Sequence, residues 1–108
     1  MLTAVNQGKL SLTRLVSLIA ENPARIYRIY PRKGIIKPGA DADLVIVDMK
    51  KRGTIKADDQ ISVCGWTPYD GLEIQGMPVL SMIRGNVVMN DGKVVGKKGY
   101  GTFISRLD

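Results

Sequence analysis

The apolar positions change period about a third of the way along the chain, and that change separates the elements they predict. Leu12, Leu15, Val16 and Ile19 stand at i, i+3, i+4 and i+7, the spacing of one helical face. Thr13, Arg14, Ser17 and Glu21 fall on the other faces. Ser11 comes just before, where a hydroxyl can accept a first-turn N–H and cap the helix. A shorter helical piece, Leu2 to Gln7, comes earlier and stops at Gly8, a residue suited to the left-handed position that closes a helix. Asn22-Pro23 reads as a second start: Asn caps, and proline in a first turn forfeits no hydrogen bond. Pro23 to Ile29 is then a second short helix, with Ile26, Ile29 and Tyr30 on its apolar side and Pro31 ending it.

From Gly34 onward the pattern becomes short runs and tight turns. Pro38-Gly39 suits the centre of a type II turn. Leu44-Val45-Ile46-Val47 is a β-branched run fit for a strand covered on both faces, starting after Asp43 and ending at Asp48. Thr54 to Ala57 reads as a brief strand before an acidic turn at Asp58-Asp59, and Gln60 to Trp66 is weakly patterned. Thr67-Pro68-Tyr69-Asp70-Gly71 is loop chemistry. Pro78 to Arg84 reads as a strand. Asn86–Asn90 and Lys93–Val95 flank Asp91-Gly92, the clearest hairpin signal in the chain. Gly96 to Gly101 reads as a mobile turn, and Phe103 to Ser105 as a last short pairing segment. Helices first and strands afterwards, without βαβ alternation, predict an α+β fold with a small, mostly antiparallel sandwich or sheet.

Composition narrows the chemistry. The 108 residues include no histidine and one cysteine, Cys64. Histidine is the usual acid/base near neutral pH and the commonest zinc ligand, so a zinc site or a His-activated nucleophile is not expected here. No internal disulfide is possible, and Cys64 reads as a small, partly buried hydrophobe. The net charge of +6 comes from cations spread over Arg32, Lys33, Lys37, then Lys50, Lys51, Arg52, then Lys97 and Lys98. They read as solvated loop ends. Trp66 and Phe103 are the single Trp and the single Phe, so no stacking platform for single-stranded nucleic acid is built. The longest apolar stretch, Leu15 to Ala20, is far short of a membrane span, and no secretory leader is seen; a cytoplasmic location is expected.

Several spaced motifs carry a family resemblance over essentially the whole chain. Asn22-Pro23-Ala24-Arg25-Ile26-Tyr27 is followed by Gly34-Ile35-Ile36-Lys37-Pro38-Gly39-Ala40-Asp41-Ala42-Asp43-Leu44-Val45-Ile46-Val47-Asp48. This resembles a hallmark of the amidohydrolase superfamily. Thr67 to Glu73, Gly76, Met82 to Val88, Asp91 to Val95 and Gly101 to Arg106 resemble the end of dihydroorotases, hydantoinases and allantoinases, dihydroorotase most of all.

The resemblance implies that residues 1–33 are the remnant of the last helices of a (β/α)8 barrel and residues 34–108 a small C-terminal β domain. It implies a parent enzyme that reversibly hydrolyses a cyclic amide in pyrimidine biosynthesis, and a homo-oligomer. In such enzymes zinc lowers the pKa of a bound water and polarises the amide carbonyl. The ligands, an H-x-H pair, a carboxylated Lys, two further His and an Asp, would all lie in a missing N-terminal barrel. No residue of this chain is therefore assigned a catalytic or metal-ligating role, and the chain alone is expected to be inactive. Asp41 and Asp43 read as turn and strand-start hydrogen-bonding residues, and Asp48 is not promoted to a ligand. Thr67, Pro68 and Tyr69 are expected near a barrel loop, and no substrate contact is assigned to them. A hydantoinase- or allantoinase-type parent is the alternative within the family; of another class are a basic module binding nucleic acid and an interaction domain in which Leu12, Leu15, Val16 and Ile19 would be an exposed contact stripe.

Overall fold

The computed structural model describes residues 1–107. Its elements are α1 (Leu2–Asn6), α2 (Leu12–Val16), a π-helical turn (Ser17–Glu21), α3 (Asn22–Ile26) and strands β1 (Leu44–Thr54), β2 (Glu73–Ile83), β3 (Asn86–Asn90) and β4 (Lys93–Val94). The strands form one antiparallel sheet in the order β1-β2-β3-β4. The fold is thus α+β as expected, with a single sheet among the described residues rather than a sandwich.

The helix ends follow sequence chemistry. Ser11 caps α2 by accepting the Arg14 N–H at 3.1 Å. After α1, Gly8 at φ +70° donates to Val5 O, and Lys9 donates to Ala4 O. That is the Schellman closure the glycine announced. The break expected at Asn22-Pro23 is absent. Asn22 is helical at φ −61°, ψ −47°, and its N–H reaches back five residues to Ser17 O. The wider π turn accommodates Pro23, which has no N–H and would crowd an ordinary turn. Residues 12–26 therefore run as one helical segment. It stops at Ile26, short of Ile29, because Arg28 adopts φ +55° and forms a second Schellman closure: Arg28 N–H to Arg25 O, Ile29 N–H to Ala24 O.

The strands are longer than their apolar runs. β1 continues past Asp48 to Thr54, taking in Lys50, Lys51 and Arg52. Its register with β2 jumps between Asp48 and Arg52, so Met49–Lys51 bulge out. The Asp48 carboxylate holds the bulge by accepting the Lys50 and Lys51 N–H groups. Helix α1 fills the gap. Thr3 Oγ1 both accepts from Gln75 N (3.1 Å) and donates to Gln75 O (3.3 Å), while Asn6 Nδ2 donates to Met49 O and Gln75 O. Gly76 permits this approach: a Cβ there would lie 2.9 Å from Leu2 Cβ, at a backbone φ of +93°. β2 likewise starts five residues before Pro78. The proline sits beside a register shift, with Val79 unpaired in the ladder, where a missing N–H is tolerated. The Asp91-Gly92 turn has φ +44° and +78°, a type I′ hairpin as predicted.

The core is thin. Among the described residues the fully buried apolar side chains are Leu15 and Ala24, at 2% and 3% exposure. Of the stripe Leu12, Leu15, Val16 and Ile19, Leu15 is buried, while the other three stay exposed. The β1 run is not covered on two faces either: Val45 and Ile46 are exposed on an edge strand. The radius of gyration is 15.4 Å, against roughly 13 Å for a compact domain of this length.

Arg28 stores strain that glycine would not. Arg28→Gly is expected to raise stability by about 0.5–1 kcal/mol, measured by urea denaturation, because the closure is made by backbone groups that glycine keeps.

Candidate functional site: an ion-paired hub under an apolar groove

The turn following the helices brings four charged side chains together with the start of β1. Gly34, at φ +85°, lies so close to α3 that a Cβ would meet Ala24 Cβ at 2.6 Å. This packing sets Lys33 beneath the helices. Lys33 Nζ lies 2.9 Å from Asp41 Oδ2 and also contacts Asp43 Oδ2, and Arg32 Nε reaches Asp41 Oδ2 at 3.0 Å. Asp43 Oδ1 accepts the Arg84 backbone N–H at 2.8 Å, and Gly85 N–H donates to Ala42 O at 3.0 Å. These bonds grip the Arg84-Gly85 turn between β2 and β3, where Arg84 takes φ +45°. The Arg84 guanidinium in turn bonds Thr102 Oγ1 and Tyr100 O and stacks over the Tyr100 ring, 4.4 Å from its centre. One chain of charge thus ties helix, strand, hairpin and tail.

The electrostatics of the hub are closed. Hydrogen bonds from Lys33 and then Arg32 hold the Asp41 carboxyl below its ordinary pKa. For Asp43, burial pushes upward, but the bonds from Lys33 and the Arg84 N–H outweigh it and leave the group lowered. Burial depresses Lys33, and its bonds to Asp43 and Asp41 more than reverse that. Lys33 is therefore no solvated loop end, contrary to expectation: its side chain keeps 14% of its exposure and has two carboxylate partners. Asp41 and Asp43 do hydrogen-bond at the strand start. Their main partners, however, are side chains and a backbone group 41 residues away rather than local N–H groups.

Above the hub lies an open groove of about 500 Å³ between the helices and β1, lined by Val16, Ile19, Pro23, Ile36, Leu44 and Val45 with Lys33, Asp41 and Asp43 at its floor. Val16, Ile19, Ile36 and Val45 are between 50% and 86% exposed. An apolar face of this kind in a chain with so thin a core is a candidate contact surface.

The other singled-out residues lie apart from the hub. Cys64 is exposed rather than partly buried, in the excursion between β1 and β2. A hydrogen bond with Ser62 Oγ, 2.9 Å away, holds its thiol below the ordinary value. Thr67 and Tyr69 shape the return turn, with Tyr69 N–H donating to Thr67 Oγ1 and Leu72 N–H to Tyr69 O. Lys51 pairs with Asp91 at 2.6 Å. Among the described residues no group of three His, Cys, Asp or Glu side chains could hold a metal ion. The hub carboxylates are already bonded to cations, so their donor set does not fit the zinc that the family resemblance implies. Lys33, Arg84 and Tyr100 were missed as site residues. Arg84-Gly85 does span two strands at hairpin length, but a left-handed Arg is not a turn signal.

Fold and site together define a small α+β unit whose hub charges are paired with one another and whose apolar face is uncovered. Residues 1–88 match the model of the amidohydrolase family, and the chain belongs to that family. It is 44% identical over 102 residues to the L-hydantoinase of Paenarthrobacter aurescens, covering 94% of this chain and 22% of that protein. To the dihydroorotase of Pyrococcus abyssi it is 47% identical over 97 residues, covering 90% and 24%. The solved L-hydantoinase (dihydropyrimidinase) of Arthrobacter aurescens superposes with a TM-score of 0.95 at 44% identity, covering 98% of this chain and 24% of that one. The chain spans about a quarter of the length of these relatives.

The pH dependence has a definite sign. Asp41 and Asp43 are depressed in the fold, so their stabilisation is present above the unfolded carboxylate pKa, about 3.9, and is lost as pH falls through the folded values. Lys33 is raised, so its contribution is full below about 10.4 and is lost as pH rises through its folded value. Asp43→Asn is expected to cost about 1–2 kcal/mol at neutral pH and to flatten the acid limb of stability against pH, read by denaturant titration. The exposed groove predicts self-association of residues 1–108 in sedimentation, reduced in a Val16→Glu, Ile19→Glu double variant.

Proposed function

We propose that this chain is the structural C-terminal portion of a metal-dependent cyclic amidohydrolase of the dihydroorotase type. Residues 1–33 would belong to the end of a (β/α)8 barrel and residues 34–108 to a small β domain. The parent reaction is the reversible hydrolysis of a cyclic amide, with zinc held by residues outside this chain. The observation that carries the reading is the apolar face around Val16, Ile19, Ile36 and Val45 in a chain that aligns over nine-tenths of its own length with enzymes about four times longer. In this reading the face receives the barrel, and the Lys33–Asp41–Asp43 hub holds the helices and the sheet at a fixed angle beneath it. Assembly as a homo-oligomer and a cytoplasmic location go with the reading; among the described residues no helix is long and apolar enough to cross a membrane.

A hydantoinase-type parent is the second reading, favoured by the 0.95 TM-score and 44% identity to the L-hydantoinase structure. Both place the chemistry outside the chain. Residues 1–108 supplied with zinc are expected to turn over neither dihydroorotate nor 5-substituted hydantoins above background, followed by ultraviolet absorbance; measurable turnover would falsify the scaffold reading. In the full-length protein, a preference for dihydroorotate supports the first parentage, and a preference for hydantoins replaces it with the second.

A further inference from the structure

The chain contains two Asp-Gly steps, Asp70-Gly71 and Asp91-Gly92. In such a step the glycine amide nitrogen can attack the aspartate carboxyl carbon. An N–C bond forms, the C–OH bond breaks, and the nitrogen's proton and the hydroxyl leave as water. The five-membered succinimide then takes water back at one of its two carbonyls. Opening at the α-carbonyl leaves the main chain running through the side-chain carbon as isoaspartate, with no net gain or loss of atoms and no redox change.

The fold treats the two steps differently. At Asp70-Gly71 both reacting groups are engaged. The Gly71 N–H donates to Ile55 O at 2.8 Å, and Asp70 Oδ1 accepts the Ala57 N–H at 2.7 Å. Together they close the neck of the excursion between β1 and β2. At Asp91-Gly92 the glycine N–H has no acceptor among the described residues. The Asp91 side chain is 77% exposed, and the strand beyond it, β4, has two residues to restrain the turn. The carboxylate's side-chain partner is Lys51 Nζ at 2.6 Å. An ionised carboxylate is a poor electrophile, because hydroxide leaves only from the protonated acid. Lys51 favours the ionised form and lowers the Asp91 pKa.

We propose that Asp91-Gly92 is a self-modification site, at which the chain isomerises to isoaspartate, and that Lys51 is its brake. Isomerisation adds a methylene to the main chain of a two-residue turn, which a type I′ geometry has no room for. It also moves the free carboxylate from the β to the α position, away from Lys51. The β3–β4 pairing, Met89 with Val94 and Asn90 with Lys93, would loosen and release the segment leading to Tyr100.

The test ages the full-length polypeptide carrying these residues at 37 °C and neutral pH, folded and in guanidinium. Isoaspartate is mapped by enzymatic methylation of proteolytic peptides. The expected result is several-fold more isoaspartate at position 91 than at 70 in the folded protein, with both accumulating in the unfolded control. Lys51→Met should raise the rate at 91 and leave 70 unchanged, and Asp91→Glu, which would need a slower six-membered closure, should abolish the product. Equal accumulation at both sites in the folded protein overturns the site. So does excess at 70, or none at 91 while the control forms it. A Lys51→Met rate equal to that of the parent overturns the brake.

Discussion

The ion pairing of Lys33 with Asp41 and Asp43 is the constraint from which the rest of the arrangement follows. Lys33 stands in the turn that follows the helices, and the two carboxylates sit at the entry to β1. Asp43 spends its second oxygen on the Arg84 backbone, which fixes the hairpin between β2 and β3, and Arg84 then holds Tyr100 and Thr102. A hydrogen bond to a charged group in a half-buried site is worth more than its neutral counterpart. In a chain with two fully buried apolar side chains, such bonds take over work that a larger core would do.

That division of labour explains the unusual surface. Ala24 packs the helical segment against the turn at Gly34 and Leu15 is buried, while Leu12, Val16 and Ile19 remain exposed, the last two lining the groove with Ile36 and Val45. A small soluble domain rarely leaves so much apolar area uncovered. The chain has about a quarter of its amidohydrolase relatives' length, and the proposed reading assigns that surface to the junction with the barrel. Charges at the floor of the groove are paired among themselves, so a covering element would meet no unsatisfied charge there.

Most of the local structure was legible in the residues, for reasons that act over a few positions. Ser11, Gly8, Pro38-Gly39 and Asp91-Gly92 each specify a cap or a turn through their own backbone preferences, and each did so here. The errors fell where a distant partner overrides local preference. Pro23 passes through a helix because a π turn makes room for it, and β1 runs through Lys50–Arg52 because Asp48 ties the bulge and α1 fills the gap behind it. Of the hub, Asp41 and Asp43 were visible as strand-start acceptors. Lys33 and Arg84 were not, since nothing near them in the chain distinguishes a paired cation from a solvated one.

The sequence by itself determined the α+β order, the family motifs and the absence of imidazole, the commonest zinc ligand. These depend on residue identity and short spacing, which a chain carries before it folds. Which side of the Leu12–Ile19 stripe turns inward, which carboxylate meets which cation, and which Asp-Gly amide is left without an acceptor were decided only by the tertiary structure. Each is settled by groups more than two helical turns apart along the chain, nine residues for Arg32 and Asp41 and 41 for Asp43 and Arg84, and whether they meet depends on the closed packing of helix, turn and sheet rather than on any local preference.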